Sequence, residues 1–125
     1  MSDGNSRFEE LGKNDDVSIK TIVGDALVLV EFWATWCWPC RMAKPVADAV
    51  SMKPENADVR FVRIEIDEMP EASSSMGNRS IPTYMMWSLG EKVGENVVGY
   101  QTEDALMEMI AKARSWRRLR SSTKK

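Results

Sequence analysis

Two cysteines, Cys37 and Cys40, lie two residues apart in the segment WCWPC, and they are the only cysteines in the chain. Two thiols at this spacing can form a reversible disulfide, supply half of a metal site, or lie buried and inert. A tetrahedral zinc site needs four ligands, and there is no histidine to complete one, so only a dimer sharing four thiolates would bind metal. A dithiol–disulfide couple is therefore the leading hypothesis, and we predict no metal and no cofactor.

The position of the pair favours redox chemistry. The nearly continuous apolar run at 26–34, ALVLVEFWA, predicts a strand buried on both faces, and residues 39–53 predict a helix. Cys37 lies between them, where the positive end of the helix dipole stabilises a thiolate. We therefore expect Cys37 to be the reactive thiol and Cys40, one turn into the helix, to be more shielded.

The pattern of the remaining chain predicts an α/β architecture with a mixed sheet. Predicted strands cover residues 26–34, 58–67, 83–88 and 95–100, with a short first strand at 8–11. Predicted helices cover residues 39–53, 69–77 and 102–119, and a further helix is favoured over strand at 15–24. The residues LGEKVG between the last two strands indicate a hairpin connection.

The length of the chain indicates one domain, and its charge is distributed unevenly along the sequence. At 125 residues with 43% hydrophobic and 29% charged residues, it is expected to form one globular domain, which we place at 1–114. Residues 1–111 carry 10 basic and 19 acidic side chains, whereas residues 112–125 carry seven basic ones and no acid. We predict a basic C-terminal tail at 115–125. Its interpretations are a solvated helix end, a contact for an acidic protein, an anionic lipid or nucleic acid, and a juxtamembrane segment.

Composition also bears on partners and compartment. The basic tail lacks the interleaved aromatic residues of a nucleic-acid-binding module, so no nucleic-acid partner is predicted. Two cysteines are too few for a secreted disulfide scaffold, and the first residues, MSDGNSRFEEL, do not form a signal peptide. We expect the cytoplasm or another reducing compartment, with an organelle left open, and a protein that acts as a monomer.

Several separated segments resemble one known family. Residues 32–45, FWATWCWPCRMAKP, resemble the active-site segment of the thioredoxin family, in which W-C-x-P-C follows a buried strand. Residues 80–83, SIPT, resemble the family's cis-proline turn, Gly90 its hairpin glycine and Gly99 the glycine after the last strand. The resemblance covers about residues 8–113 and implies the thioredoxin fold, a central mixed β-sheet flanked by helices on both faces.

The resemblance implies a thiol–disulfide oxidoreductase that reduces protein disulfides, with Cys37 attacking and Cys40 resolving. Its partners would be disulfide-containing proteins and an upstream dithiol or flavin reductase. Trp38 stands where typical thioredoxins have glycine, which leaves open a more oxidising exchange protein. A thioredoxin-fold binding module with a redox-switched partner interaction is a further alternative.

Glu31 is the third candidate catalytic residue. It interrupts the apolar run of the central strand at a position where the family usually has aspartate, and an acid in an apolar layer suits proton transfer from Cys40. Arg63, where the family often has lysine, is its expected partner. The alternative interpretations are a strand-edge position for Glu31 and a solvated strand position for Arg63.

The resemblance also supplies expected substrate contacts and structural residues. The candidate substrate-binding residues are Trp36, Trp38, Ile81 and Pro82. The candidate structural residues at the site are Pro39, Trp33, Arg63 and Gly99. Pro39 suits the first turn of a helix, where its missing N–H costs no hydrogen bond, and Trp38 is expected either to tune the redox couple and partner choice or to pack on the surface.

Overall fold

The apolar run forms β2, Val28–Trp33, the central strand of a five-stranded mixed sheet. The computed structural model of the chain describes residues 5–77 and 80–123. The other strands are β1 Phe8–Leu11, β3 Arg60–Glu65, β4 Thr83–Ser88 and β5 Glu91–Val98, and the spatial order is β1-β3-β2-β4-β5. Strands β1, β3 and β2 run parallel, and β4 is antiparallel to both β2 and β5.

Helices cover both faces of this sheet, as predicted. They are α1 Ile19–Val23, α2 Trp38–Ser51, α3 Pro70–Ser73 and α4 Glu103–Thr123, with short 3-10 helices at Lys13–Asp15, Pro54–Asn56 and Ser74–Met76. One buried cluster joins Val28, Val30 and Phe32 of β2 to residues of α1 and α3. Alternate side chains point to opposite faces of a strand, and Leu29 accordingly packs in a second cluster with residues of α2 and α4.

The hairpin between β4 and β5 is shorter than predicted. Leu89 and Gly90 alone form the turn, with φ angles of 55° and 78°, since two residues with positive φ suffice to reverse the chain. Strand β5 therefore starts at Glu91, and not at residue 95. Its register is irregular near Gly94, whose φ of 76° accommodates a bulge inside the strand.

Local side chains account for the start of α1 and the buried face of α2. The N-cap of α1 is Ser18, whose hydroxyl accepts the Thr21 N–H. Helix α2 buries Ala43 and Ala47 against the sheet and leaves the side chain of Met42 exposed. Small alanine side chains let α2 lie close to the sheet.

Helix α4 begins after Thr102, whose hydroxyl accepts the Ala105 N–H, and continues through Thr123. It is therefore longer than the predicted range 102–119. The segment predicted as a separate tail, 115–125, is helical and continuous with α4 as far as Thr123, and residues 124–125 lie outside the described part of the chain.

Candidate active site

The two cysteines form a disulfide where the central strand gives way to α2. Cys37 is the N-cap of α2, and its Sγ accepts the backbone N–H of Cys40 at 3.2 Å. Trp38 and Pro39 fill the first turn, where a proline is tolerated because the N–H groups there have no partner within the helix. The structure thus places Cys37 at the positive end of the helix dipole.

The expected difference in exposure between the two sulfurs is absent from this disulfide form. Cys37 is 3% exposed and Cys40 is 5% exposed, so Cys40 is not the more shielded residue. The two sulfurs are bonded to each other, and both cysteines belong to the same buried cluster.

Two tryptophans beside the disulfide face solvent. Trp36 is 65% exposed and Trp38 is 66% exposed. The Trp36 indole is held in place because its Nε1 donates to Asp67 Oδ2 at 2.7 Å. Trp33, in contrast, is partly buried and packs against the cluster that contains both cysteines.

The turn before β4 lies against the same cluster. The Ile81–Pro82 peptide bond is cis, and the Ile81 side chain packs on the buried cluster of the cysteines. Gly99, with φ of 95°, donates its backbone N–H to the Pro82 carbonyl at 2.7 Å. Gly99 therefore ties the end of β5 to the proline turn in a conformation that favours glycine.

Glu31 is buried in the middle of the sheet, at 2% exposure, and has a partner on each neighbouring strand. Arg63 on β3 and Tyr84 on β4 are both paired with Glu31 in the sheet register. Arg63 Nε donates to Glu31 Oε1, and the Tyr84 hydroxyl donates to Glu31 Oε2 at 2.7 Å. Burial, and then the Glu31 carboxylate, raise the pKa of Tyr84, so its hydroxyl stays a donor.

Arg63 extends this pairing to the neighbouring elements. Its Nη1 lies 3.0 Å from Asp48 Oδ1 on α2 and 3.6 Å from Glu10 Oε2 on β1. Burial opposes the charge of Arg63, but the carboxylates of Glu31 and Asp48 outweigh it and raise the pKa of the guanidinium. The guanidinium carbon also lies 3.9 Å from the centre of the Phe8 ring. Arg63, on β3, is therefore a buried cation whose partners lie on β1, β2 and α2.

Each carboxylate oxygen of Asp48 has a polar partner in addition to Arg63. Lys44 Nζ lies 2.9 Å from its Oδ2, and the Ser6 hydroxyl donates to its Oδ1 at 2.8 Å. Burial works against the charge of Asp48, but these hydrogen bonds and the nearby Arg63 hold the pKa of its carboxyl below the usual value.

A small cavity joins Glu31 to the redox pair. Its volume is about 60 Å³, which is enough for a water molecule. The lining residues are Glu10, Glu31, Trp33, Cys40, Arg41, Lys44 and Arg63. The structure therefore brings Glu31 and Cys40 to one shared space, with Arg63 on its wall.

Three residues of the site were not predicted from the sequence: Tyr84, Asp48 and Asp67. The sequence places Tyr84 in the strand predicted at 83–88 and assigns it no role. The signal that could have identified it is its position opposite Glu31 in the register of β2 and β4. Asp67 lies two residues beyond β3, at the sheet edge where the cysteines also lie, and that position is its only sequence signal.

A disulfide between cysteines two residues apart, at the start of a helix that follows a central strand, defines a dithiol–disulfide redox centre. The parallel β1-β3-β2 unit with an antiparallel β4–β5 hairpin gives this centre the thioredoxin fold.

Comparisons with known proteins agree with this fold and this redox centre. The Thioredoxin family model matches residues 12–112. A thioredoxin from Listeria monocytogenes is 39% identical over 97 residues, covering 78% of this chain and 92% of that protein. Thioredoxin 1 from a Nostoc species is 42% identical over 88 residues, covering 70% of this chain and 80% of that protein.

Solved structures extend the similarity to three dimensions. A thioredoxin from Malassezia sympodialis superimposes with a TM-score of 0.72 at 30% identity, over 86% of this chain and 94% of that one. A thioredoxin from Nicotiana alata gives a TM-score of 0.73 at 32% identity, over 90% of this chain and 97% of that one. The chain belongs to the thioredoxin family, and it is a thiol–disulfide oxidoreductase.

The hydrogen bond from the Tyr84 hydroxyl to Glu31 should contribute measurably to stability. Replacing Tyr84 by phenylalanine removes only the hydroxyl that donates to the carboxylate, and a hydrogen bond to a charged group stabilises a fold by about 1–3 kcal/mol. We expect a loss of that size in the free energy of unfolding by urea. Tyr100→Phe, at an exposed tyrosine, is the matched control and should change stability by less than about 0.5 kcal/mol. Equal stability of the two variants would show that the hydroxyl does not hold Glu31.

A second prediction follows from the lowered pKa of Asp48. Its carboxylate should stabilise the fold above its ordinary pKa of 3.8, and this contribution should be lost as pH falls through the lower folded pKa. Asp48→Asn should therefore destabilise the protein at about pH 6 and much less at about pH 2. Urea unfolding at both pH values measures this, with Glu95→Gln on exposed β5 as control. A loss that does not depend on pH would contradict it.

Proposed function

We propose that the chain reduces disulfides in protein substrates, with Cys37 as the attacking thiolate and Cys40 as the resolving thiol. The observation that carries this assignment is the N-cap position of Cys37, whose sulfur accepts the Cys40 N–H at 3.2 Å. Hydrogen bonding and the helix dipole both favour a negative charge on that sulfur, and the thiolate is the nucleophile in exchange.

The reaction has two steps. Cys37 thiolate attacks one sulfur of the substrate disulfide, which forms a mixed disulfide and releases the other substrate sulfur as a thiolate. Cys40 then loses its proton and attacks Cys37 Sγ, which releases the second substrate thiolate and leaves Cys37 and Cys40 oxidised by two electrons. The disulfide in the structure corresponds to this product.

Glu31 is proposed to accept the Cys40 proton. Both residues line the cavity of about 60 Å³, which has room for a water molecule to link them. Arg63 and Tyr84 occupy one side of each Glu31 oxygen. Because a carboxylate has about four lone-pair positions, the carboxylate can still accept a proton from the cavity.

Substrate contacts are proposed at the rim of the disulfide. Trp36 and Trp38 present exposed aromatic surface on which an unfolded or extended substrate segment can pack. Ile81 and Pro82 form the turn packed against the same cluster as the cysteines, which supports a role in binding that segment. The Trp36 indole is held by its hydrogen bond to Asp67, and Trp38 adds a second exposed ring beside it.

Turnover requires a second protein. Each reaction leaves the cysteine pair oxidised, so a separate dithiol or flavin reductase must return two electrons. We propose that the chain acts as a monomer in the cytoplasm or another reducing compartment, where such a reductase keeps the pair as a dithiol.

The test of the cysteine roles is a trapping experiment. Cys40→Ser cannot resolve the intermediate, so incubation with insulin as a disulfide substrate should accumulate an adduct on Cys37 that mass spectrometry detects. Cys37→Ser should form no adduct and should not reduce insulin, and the double serine variant controls for unspecific association. Adduct formation by Cys37→Ser and none by Cys40→Ser would reverse the two roles.

Glu31 has its own test in single-turnover kinetics. Glu31→Gln should slow resolution of the mixed disulfide on the order of a hundredfold while the initial attack by Cys37 changes little, because only resolution needs the Cys40 proton removed. Glu31→Asp keeps the charge and should restore most of the rate, which separates proton transfer from loss of folding. Glu10→Gln alters another carboxylate at the same cavity and serves as the matched control. Equal slowing of both steps in Glu31→Gln would remove the proposed role.

A further inference from the structure

Helix α4 continues beyond the residues that the family model matches. The match to the Thioredoxin family model ends at residue 112, whereas α4 ends at Thr123. From residue 112 onward the sequence has seven basic residues and no acidic one. The end of α4 is therefore a basic helical extension beyond the matched region.

The extension is anchored at the end of the sheet far from the cysteines. Arg117 Nη1 donates to the Asp25 carbonyl at 3.1 Å and to the Ser88 hydroxyl at 2.9 Å. Asp25 precedes β2 and Ser88 ends β4, which is antiparallel to β2. Cys37 follows the opposite end of β2, and six strand residues separate the two ends by about 20 Å.

The outer side of this extension combines charge with an apolar ridge. Leu119 is 65% exposed. Because successive helix residues are rotated by about 100°, Arg118 and Arg120 project to either side of Leu119. Trp116, one turn earlier, lies on the same side of the helix as Leu119. The Arg120 guanidinium lies 5.1 Å from the centre of the Trp116 ring and 3.4 Å from Glu91 Oε1.

Lys112, Trp116, Arg118, Leu119 and Arg120 together form what we call the α4 terminal surface. We propose that the α4 terminal surface docks on the anionic headgroups of a phospholipid membrane. A flat negative leaflet can contact the cations on both sides of a convex ridge at once, while Leu119 and Trp116 reach the headgroup boundary. Among the described residues, no helix is long and apolar enough to cross a membrane.

Docking in this orientation leaves the redox centre accessible. The α4 terminal surface and Cys37 lie at opposite ends of β2, so the disulfide faces the aqueous phase while the basic end contacts lipid. The proposal does not depend on the redox mechanism, and Cys37→Ser should bind membranes as the unmodified chain does.

Vesicle flotation of the full chain tests the proposal. We expect binding to phosphatidylcholine vesicles that contain about one-third phosphatidylserine, no binding to pure phosphatidylcholine vesicles, and release by salt. The double variant Arg118→Gln/Arg120→Gln should bind about thirtyfold more weakly, since each cation near the leaflet contributes about fivefold in affinity. Leu119→Ala should also weaken binding, because it removes the exposed apolar side chain.

The matched control changes net charge equally at another place. Lys13→Gln/Lys20→Gln removes two exposed cations outside α4 and should leave vesicle binding unchanged. The two double variants and Leu119→Ala should reduce insulin at the normal rate, which shows that they are folded. Equal weakening by the two double variants would replace a docking surface with a general charge effect. Binding to polyglutamate or RNA without binding to the phosphatidylserine vesicles would identify another class of partner and overturn the proposal.

Discussion

A buried carboxylate in the central strand constrains the sheet of this protein more than any other single group. An ionised carboxylate taken out of water costs several kcal/mol unless cations and hydrogen-bond donors surround it. Glu31 receives one such partner from each neighbouring strand, Arg63 from β3 and Tyr84 from β4. Slipping either neighbour by one residue would turn its partner to the opposite face and leave Glu31 unpaired. The acid therefore helps to specify the register of the three central strands.

The same pairing connects the sheet to the helix that carries the cysteines. Arg63 forms ion pairs with Asp48 on α2 and Glu10 on β1. Lys44, also on α2, forms an ion pair with the other oxygen of Asp48. An apolar residue at the Glu31 position would avoid the cost of burying charge. The charge is instead retained beside the cavity that Cys40 also lines. This position is the one that the proposed proton transfer from Cys40 to Glu31 requires.

The parts of this site that depend on residues near one another in the sequence could be predicted from it. The residues that tertiary packing brings to the site could not. The cysteine pair, the buried strand before it and the proline at the start of α2 depend on residues close together in the chain. Tyr84 and Asp48 join the site only through strand register and helix rotation, which no local pattern encodes. The start of β5 was misplaced because polar residues before its bulge resemble a turn. The near-equal burial of the two cysteines is observed in the disulfide form, in which a covalent bond joins the two sulfurs.

The distance between the basic and redox ends limits what the α4 extension can do to the chemistry. At physiological salt, exposed charges are screened within about 8 Å, and the two ends of β2 are about 20 Å apart. The arginines of α4 therefore contribute little to the electrostatic field at Cys37, which lies at the N-terminus of α2. If the extension affects disulfide exchange, it does so by concentrating the protein near substrates at a surface, where effective concentration rises without any new contact to the reacting sulfurs.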